Sequence, residues 1–520
     1  MGVFIKISLL LVFFAVTIFV GLYFKKRAAS VNDFVLGGRS VGPWLSAFSY
    51  GATYFSAVVF VGYSGQFGWR FGSAAIWIGL GNALIGSMMA WLILGRRTRV
   101  MTNHLKSATM PAFFGTRYVS QALKIGASVI VFIFLIPYTA SLYNGLSRLF
   151  AMAFDVPFEY CIIAMGVLTA VYVVAGGYIA TAVNDFIQGT IQLIGVIAVI
   201  IVAINSQGGL FSALEGLSKV GDEAAGIAAG GFTSILGPDP VSLIGVLILT
   251  SLGTWGLPQM VARFYSIKSE KMIGKGAIVS TLFALVVAGG CYFLGSFGRL
   301  WADGLDVQIN AAGSLMVPSG GFDSIVPTIL SGMGEVMIGI VIVLVFASSI
   351  STLSSLVMAS ASTLTLDFLK GHIVKSMSDK KQLIIIRLLI VVFIVISSAI
   401  AIMQVNGVFK GNLSFIADLM GVSWGALAGS FLAPFLYGLY WKKASKISVW
   451  CCFIFSTGLM ISNIIFRSSF PAILQSPINA GALAMLAGLV IVPVVSLFTK
   501  APAKEQVTSC FSCYEENQTK

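Results

Sequence analysis

Apolar stretches of around 20 residues recur along the whole chain. At 1.5 Å rise per residue, each is long enough to cross about 30 Å of hydrocarbon as an α-helix. The chain is 58% hydrophobic and only 10% charged, whereas soluble domains carry about 25% charged residues. The sequence therefore predicts an all-α integral membrane protein with about thirteen transmembrane helices in a lipid bilayer. The segments are residues 3–24, 42–65, 73–95, 121–150, 158–176, 179–204, 240–262, 275–298, 333–357, 381–404, 411–437, 447–466 and 478–499.

The basic residues are distributed unevenly between the two sides of these segments. The net charge of +13 would suit a nucleic-acid ligand, but the positions of the charges argue against one. Loops after odd-numbered segments hold 20 Lys and Arg residues, including Arg263, whereas loops after even-numbered segments hold 5. Short basic loops stay on the cytoplasmic side of a membrane. We therefore expect a multi-pass cell-membrane protein with its N-terminus outside and its C-terminus in the cytoplasm, and no nucleic-acid partner. The five are Arg70, Lys219, Arg299, Lys410 and Arg467.

The chain leaves little room for a second domain. The longest loops, near 205–239 and 299–324, are rich in Gly and Ser, and the tail 501–520 is short. Cys510 and Cys513 in this tail form a single CxxC, which is weak evidence for zinc, and a reducing cytosol argues against a disulfide. We expect one membrane domain followed by an ordinary polar tail.

The second and seventh apolar segments are interrupted by residues that disturb helices. The second contains Ser49-Tyr50-Gly51-Ala52-Thr53-Tyr54-Phe55-Ser56, and the seventh contains Ser251-Leu252-Gly253-Thr254-Trp255-Gly256-Leu257-Pro258-Gln259. Proline lacks an amide donor, and glycine lowers the cost of unwinding. Unpaired backbone groups at membrane depth are costly unless they face protein, a cavity or an ion. The alternative is that the glycines only permit close helix packing.

The two interrupted segments lie five segments apart. They would open two successive five-helix units, two to six and seven to eleven, and an odd-numbered unit that repeats in sequence must be inverted in the bilayer. Broken helices in matching positions of inverted halves indicate the midplane binding site of a transporter.

Several motifs occur in a fixed order between about residues 4 and 500. They are Leu36-Gly37-Gly38-Arg39-Ser40, Ala52-Thr53-Tyr54-Phe55-Ser56, Gly176-Gly177-Tyr178, Asn184-Asp185-Phe186-Ile187-Gln188, Gly256-Leu257-Pro258, Ala262-Arg263-Phe264 and Ser351-Thr352-Leu353-Ser354. Together they resemble the sodium/solute symporter family, closest to its proline and pantothenate branches. Proline transporters of the family typically carry Asp at the position of Tyr54 and Met at that of Phe55, so this chain looks more like the pantothenate branch.

The resemblance implies an architecture and an activity. Residues 1–500 would form a symporter membrane domain with a leucine-transporter-like core, in which helices 2–6 and 7–11 are inverted repeats and helices 1, 12 and 13 are peripheral. The activity would be sodium-coupled symport of a small organic solute by alternating access, such as pantothenate, proline or another carboxylate. A proton-coupled symporter of the same fold is the alternative.

The ninth segment is rich in hydroxyl groups. Ser348, Ser351 and Ser355 are spaced by three and four residues, so they share one helix face, and Thr352 lies beside them. Sodium prefers oxygen ligands, including hydroxyls and unwound backbone carbonyls. Such residues also often bond their own helix or serve as small packing residues. The resemblance implies a sodium site made by the carbonyls of Ala52, Phe55 and Ser348 and the hydroxyls of Ser351 and Thr352.

Asp185 is one of few acids at membrane depth, where an ionised carboxylate often marks an ion path. We expect it to take part in sodium binding or passage; the alternative is a helix-start carboxylate near the interface. We find no basic residue in the middle of the core segments to neutralise a carboxylate, although the amides of a half-helix N-terminus can do so.

The candidates for the solute site are aromatic and polar residues of three segments. Aromatic rings can close over a solute while hydroxyl or amide groups orient it. Each residue could instead be ordinary packing, because aromatics make up 12% of the chain. The candidates are Tyr54, Ser56, Tyr138, Thr254, Trp255, Pro258 and Gln259.

Other functional classes fit the sequence less well. A channel usually shows a filter or a charged ring, a sensor needs a long signalling module, and an ATP-driven pump needs a phosphate-binding loop. The only histidines, His104 and His372, lie in loops, so no catalytic motif is evident in a helix. We expect no enzymatic activity and no organic cofactor, with Na⁺ as the co-transported ion. The sequence leaves the oligomeric state open.

Overall fold

A computed structural model describes residues 2–154, 157–309, 316–370, 372–374, 376–406 and 416–515. Within these ranges the chain is almost entirely helical, with one short antiparallel pair of strands, β1 (Val307–Ile309) and β2 (Met316–Pro318). The α-helices are α1 (Gly2–Tyr23), α2 (Val31–Leu36), α3 (Pro43–Tyr54), α4 (Ser64–Phe71), α5 (Ile76–Gly81), α6 (Arg96–His104), α7 (Met110–Arg117), α8 (Gln121–Phe154), α9 (Phe158–Ser206), α10 (Leu210–Ser218), α11 (Pro240–Leu252), α12 (Pro258–Ser266), α13 (Ile273–Ser296), α14 (Ile325–Ser331), α15 (Glu335–Thr363), α16 (Asp379–Val405), α17 (Ile416–Tyr440), α18 (Lys446–Ile465), α19 (Pro477–Phe498) and α20 (Lys504–Glu515).

The helices are long and apolar enough for a multi-pass membrane protein. Among the described residues, 10 helical stretches can cross a bilayer, or 11 if the bent pair α11 and α12 is one span. Two of these stretches, Val58–His104 with 47 residues and Phe158–Ser206 with 49, are more than twice the length that one crossing needs. Large apolar side chains such as Leu11 and Phe19 are exposed on α1. A lipid environment accounts for this apolar surface, because a water-soluble surface would not carry it.

The long helix α9 changes direction at one residue. Gly177 has φ 57° and ψ −153°, a conformation that favours glycine because a Cβ would be strained there. A Cβ at this position would also lie 2.8 Å from the ring of Phe34. This break separates the predicted segments 158–176 and 179–204.

The second apolar segment is broken directly after α3. Phe55 has an extended backbone (φ −108°, ψ 107°), and the helix resumes as a π-helix at Val58–Tyr63 and continues into α4. Since the last four carbonyls of an α-helix have no partner within it, the end of α3 presents free oxygen atoms inside the protein. The break lies within the stretch 49–56 that the sequence indicated.

The seventh apolar segment is broken between α11 and α12, which are bent by 40°. A 3₁₀ turn, Gly253–Trp255, follows α11, and Pro258 starts α12 at a position where its missing amide costs nothing. Gly256 fits here because a Cβ would lie 2.8 Å from the Cα of Ala428 in α17. Helices α3, α9 and α15 pack against one another, and α12 packs against α3 and α15.

The C-terminal tail is more ordered than the sequence suggested. Residues 504–515 form α20, which packs against α6, and Cys510 and Cys513 are buried rather than carried on a solvated tail. Val507, Phe511 and Tyr514 recur at spacings of four and three, so they form an apolar face on α20. The expectation of an ordinary polar tail is therefore wrong for these residues.

Candidate ion and solute sites

The side chain of Thr352 on α15 faces the broken end of α3. Its Oγ1 lies 3.4 Å from the carbonyl oxygen of Ala52, 3.1 Å from that of Thr53 and 3.1 Å from that of Ser348. One hydroxyl hydrogen cannot satisfy three acceptors at once. Four oxygen atoms thus converge at a buried point between two helices, and a small hard cation prefers such a set.

The other predicted sodium residues make different contacts. Ser348 turns its hydroxyl back to the carbonyl of Val345, 3.0 Å away, so that only its carbonyl faces Thr352. Phe55 is buried one residue past the end of α3, with its ring stacked on that of Tyr54 at 4.2 Å. Ser351 donates its hydroxyl to Asp185 Oδ1 at 2.6 Å. Ala52, Ser348 and Thr352 therefore meet directly, and Ser351 connects them to Asp185.

Asp185 is fully buried in the part of α9 that follows Gly177. Its Oδ2 accepts a hydrogen bond from Ser49 and forms an ion pair with Arg263 at 3.2 Å. The carboxylate is thus enclosed by protein rather than exposed to water. The residue joins α3, α9, α12 and α15.

Two sequence expectations about Arg263 are wrong. We expected it in a cytoplasmic loop, and we expected no basic residue within the core. The side chain is 2% exposed and belongs to α12. The predicted segment ends at residue 262, but α12 continues to Ser266 and includes the buried arginine.

The guanidinium of Arg263 is held by oxygen atoms from three other elements. Its Nη2 lies 2.7 Å from Thr53 Oγ1 and 3.2 Å from Asp185 Oδ2, and it also donates to the hydroxyl of Ser355. The ring of Tyr178 lies 5.1 Å from the guanidinium carbon, within the range of a cation–π contact. No spacing rule in the sequence relates Arg263 to Asp185, so this pair is visible only in three dimensions.

The predicted solute residues occupy three places. Tyr54 and Tyr138 both pack against Trp424 of α17, at ring distances of 6.1 and 5.9 Å, and Ser56 lies at the break beside them, where it accepts a hydrogen bond from the amide of Val58. The hydroxyl of Tyr54 donates to the carbonyl of Thr250 in α11. We call Tyr54, Tyr138 and Trp424 the aromatic cluster; Trp424 was not singled out in the sequence.

Thr254 and Trp255 face a different neighbour. Thr254 donates to the carbonyl of Gly86 and Trp255 to that of Ile85, each at 3.0 Å. Both bonds attach the break in the seventh segment to the π-helix Asn82–Met89. In this structure the side chains of Thr254 and Trp255 therefore bind backbone carbonyls rather than line a cavity.

Pro258 and Gln259 line a cavity of about 40 Å³ together with Tyr178, Arg263 and Ser355. This volume is small beside the roughly 300–1,000 Å³ of small-molecule sites. Leu36 and Ala108 border both this cavity and a wider surface pocket that contains Arg39, Arg99 and Lys106. The cavity beside Arg263 and this basic surface pocket therefore adjoin at Leu36 and Ala108.

Residues 34–450 match the model of the sodium:solute symporter family. The chain belongs to the sodium:solute symporter family. This membership supports sodium-coupled symport of a small solute and agrees with the resemblance seen in the motifs.

Relatives and one solved structure agree with the family assignment. The chain is 27% identical to the osmoregulated proline transporter OpuE of Bacillus subtilis (strain 168) over 496 residues, 95% of this chain and 94% of that protein. It is 29% identical to the sodium/proline symporter of Staphylococcus aureus (strain NCTC 8325 / PS 47), with 84% of this chain and 81% of that protein covered. The structure of a Na⁺-coupled sialic acid symporter in a substrate-bound outward-open state superposes with a TM-score of 0.74 at 20% identity, covering 96% and 99% of the two chains. This symporter therefore has the same fold.

Proposed function

We propose that the chain is a sodium-coupled symporter that binds Na⁺ at the carbonyls of Ala52, Phe55 and Ser348 and the hydroxyls of Ser351 and Thr352. The observation that carries the proposal is the convergence of Thr352 Oγ1 on the carbonyl oxygens of Ala52 and Ser348, at 3.4 and 3.1 Å. Dehydrated Na⁺ needs such a set of oxygens, and the broken end of α3 supplies backbone carbonyls without a buried charge.

The architecture that goes with this proposal has thirteen membrane crossings. The 10 apolar stretches become 11 with the bent pair α11 and α12. Two more crossings result when Phe158–Ser206 is divided at Gly177 and Val58–His104 at Gly72. Gly72 also has a positive φ. Helices 2–6 and 7–11 would then be inverted five-helix repeats within a membrane domain of residues 1–500. The distribution of basic residues supports an outside N-terminus and a cytoplasmic C-terminus.

Asp185 fits a role in the passage of sodium. Its Oδ1 is bonded to Ser351, so a cation that leaves the Thr352 point along α15 meets a carboxylate next. Buried carboxylates in membrane helices commonly mark such paths. Asp185 is also the group that would carry a proton in a proton-coupled transporter of this fold.

The aromatic cluster and Ser56 form the proposed solute site. Tyr54 and Ser56 alternate with the sodium-carbonyl residues Ala52 and Phe55 at the end of α3 and the break after it. Trp424 and Tyr138 face them from α17 and α8. The cavity at Pro258 and Gln259 would then be the cytoplasmic end of the solute path. The relatives named as proline transporters favour an amino acid or another small carboxylate, whose negative charge the N-terminal amides of α12 can stabilise.

Uptake by proteoliposomes tests the proposal. A panel of labelled solutes that includes proline and pantothenate is offered under an inward sodium gradient, an inward proton gradient, or neither. We expect one class of solute to accumulate only with the sodium gradient, and the double variant Ser351→Ala/Thr352→Ala to lose this dependence. Accumulation driven by protons alone would replace sodium by H⁺ as the coupling ion, and equal uptake under all three conditions would indicate a facilitator.

A further inference from the structure

Arg263 occupies a place that a free cation could also occupy. Three oxygens, from Thr53, Asp185 and Ser355, surround its Nη2, with the first two at 2.7 and 3.2 Å. All four side chains are buried. The arginine is therefore the counter-ion of a carboxylate that water cannot reach.

The same oxygens adjoin the proposed sodium ligands. Thr53 accepts the Arg263 bond at its hydroxyl and the Thr352 bond at its carbonyl, 3.1 Å from Oγ1. Asp185 receives Ser351 at one oxygen and Arg263 at the other. Thr53 and Asp185 thus contact both the guanidinium and the proposed ion site, so a change at one site affects the other.

Two positive charges cannot both occupy this place without a cost. Coulomb repulsion between unit charges at a few ångströms is far stronger in a protein interior than in water. A buried carboxylate gains from one cation, but a second positive charge finds the negative charge already neutralised. Bound sodium and the present position of Arg263 should therefore oppose each other.

A cavity lies beside the side chain of Arg263 and gives it room to move away from Asp185. Its side chain borders the cavity with Gln259 and Tyr178, and within the described part of the chain its buried Nε has no hydrogen-bond partner. The present position is thus incompletely satisfied. Tyr178, whose ring contacts the guanidinium, also lines the cavity.

We propose that Arg263 is a tethered cation that neutralises Asp185 when the sodium site is empty and is displaced toward the cavity when sodium binds. Because Arg263 belongs to α12, its displacement transmits sodium binding from α3 and α15 to the second broken helix. Arg263 is then a positioning residue for coupling. This inference rests on the proposed function, since it requires sodium at the Thr352 point.

Equilibrium binding of ²²Na⁺ to the purified full-length protein tests the inference without knowledge of the solute. Arg263→Gln removes the competing charge and leaves every proposed sodium ligand, so we expect sodium to bind at least about fivefold more tightly, the lower end of usual coupling factors. Arg263→Lys keeps a cation on α12 and should remain within about twofold of the wild type. Ser360→Ala is the matched control. It removes a buried hydroxyl of α15 that lies away from the site, and it should not change sodium binding.

The outcomes separate the inference from the proposed function. If Arg263→Gln binds sodium no more tightly than the wild type does, the tethered-cation role is overturned. Saturable sodium binding by the wild type would still support the proposed function in that case. Absence of saturable sodium binding by the wild type overturns both. If Arg263→Gln does not fold, as judged by size-exclusion chromatography, Ser355→Ala carries the test: it removes one oxygen that holds the guanidinium, and tighter sodium binding is again required.

Discussion

The hydroxyl of Thr352 lies 3.4 Å from the carbonyl oxygen of Ala52, although 300 residues separate the two in the chain. The contact joins α15 to the broken end of α3, where backbone carbonyls lack helical partners. It also joins the two halves of the proposed inverted repeat. An ion bound here would hold two helices together, and its loss would release them.

The double variant Ser351→Ala/Thr352→Ala removes two hydroxyls from a proposed site with five ligands. We expect apparent sodium affinity to fall at least about tenfold, or about 1.4 kcal/mol, because the carbonyls alone cannot complete the shell. Sodium-dependent solute uptake and ²²Na⁺ binding measure the effect.

Ser360→Ala provides the control for that double variant. The Ser360 hydroxyl is buried in the same helix, and among the described residues it has no hydrogen-bond partner. It should keep wild-type sodium dependence. Unchanged sodium dependence in Ser351→Ala/Thr352→Ala would rule out this ligand set.

The orientation in the membrane can be tested at two exposed residues. Glu223 lies between α10 and α11, and Asn103 lies near the end of α6. In a cysteine-free background, a single cysteine at 223 should react with an impermeant maleimide in intact cells, whereas one at 103 should react only after permeabilisation. The converse pattern would invert the topology derived from the basic residues.

The loops that follow α10 and α13 are held together by the ion pair between Asp222 and Arg299, 2.9 Å apart. The Arg299 guanidinium lies 3.9 Å from the ring of Phe232 and 4.5 Å from that of Trp69. Burial lowers the pKa of Arg299 to about 10, which still leaves it charged at neutral pH. The pair is therefore intact under ordinary conditions.

Asp222→Ala should destabilise the protein by about 3–5 kcal/mol, because it leaves a buried charge without a partner. Thermal unfolding in detergent, followed by size-exclusion chromatography, measures the change. Glu223→Ala is the matched control at an exposed neighbour and should unfold at the wild-type temperature. A normal unfolding temperature for Asp222→Ala would show that the pair does not stabilise these loops.

Arg97 fixes the C-terminal helix α20 to the rest of the protein. Its guanidinium lies between the rings of Tyr440 and Tyr514, at 4.2 and 4.5 Å. Of the two rings only Tyr514 belongs to α20, and a cation–π contact contributes about 0.5–1 kcal/mol, so Arg97→Ala should raise the undocked population about two- to fivefold. Burial raises the pKa of the Cys510 thiol, which slows its reaction with maleimide, since the thiolate is the reactive form. Undocking should therefore accelerate labelling of Cys510.

Arg96→Ala is the control for the tail experiment. Arg96 is exposed and pairs with Glu270, so its removal should leave labelling slow. Both variants are compared in a background whose other five cysteines are replaced by alanine. Equal rates in Arg97→Ala and the wild type would mean that Arg97 does not hold α20 in place.

Much of the fold was predictable from local signals in the sequence. Apolar length located α8, α13, α16, α18 and α19 within a few residues, because a membrane crossing requires a long uninterrupted run. Pro258 and the neighbouring glycines indicated the break between α11 and α12. The spacing of Val507, Phe511 and Tyr514 is an equally local signal and is typical of the amphipathic helix α20. The predicted start of the eleventh segment, 411–415, lies outside the described residues.

The site was only partly predictable, because its contacts link distant parts of the chain. Thr352 and Ala52 came from the resemblance to a family, not from spacing. The pair of Asp185 and Arg263 had no signal in sequence distance, and the charge of Arg263 favoured a loop. Trp424 could not be distinguished from the many aromatic residues that only pack.

Sodium and solute should bind cooperatively, because their proposed ligands alternate along one short stretch, the last turn of α3 and the break after it. The carbonyls of Ala52 and Phe55 would face the ion, while Tyr54 and Ser56 face the solute beside Trp424. Ordering this stretch for one ligand prepares it for the other, so each should raise the affinity of the other by the same factor, typically about 5- to 150-fold.

Calorimetric titration of the purified protein with the solute that uptake identifies, in sodium and in choline buffer, measures this factor. Thr352→Ala should lower the factor toward one, since sodium then no longer orders the stretch, and Ser360→Ala should leave it unchanged. A facilitator with an incidental ion site predicts a factor near one in the wild type as well. Equal solute affinities in sodium and choline would therefore refute coupling through this stretch of the chain.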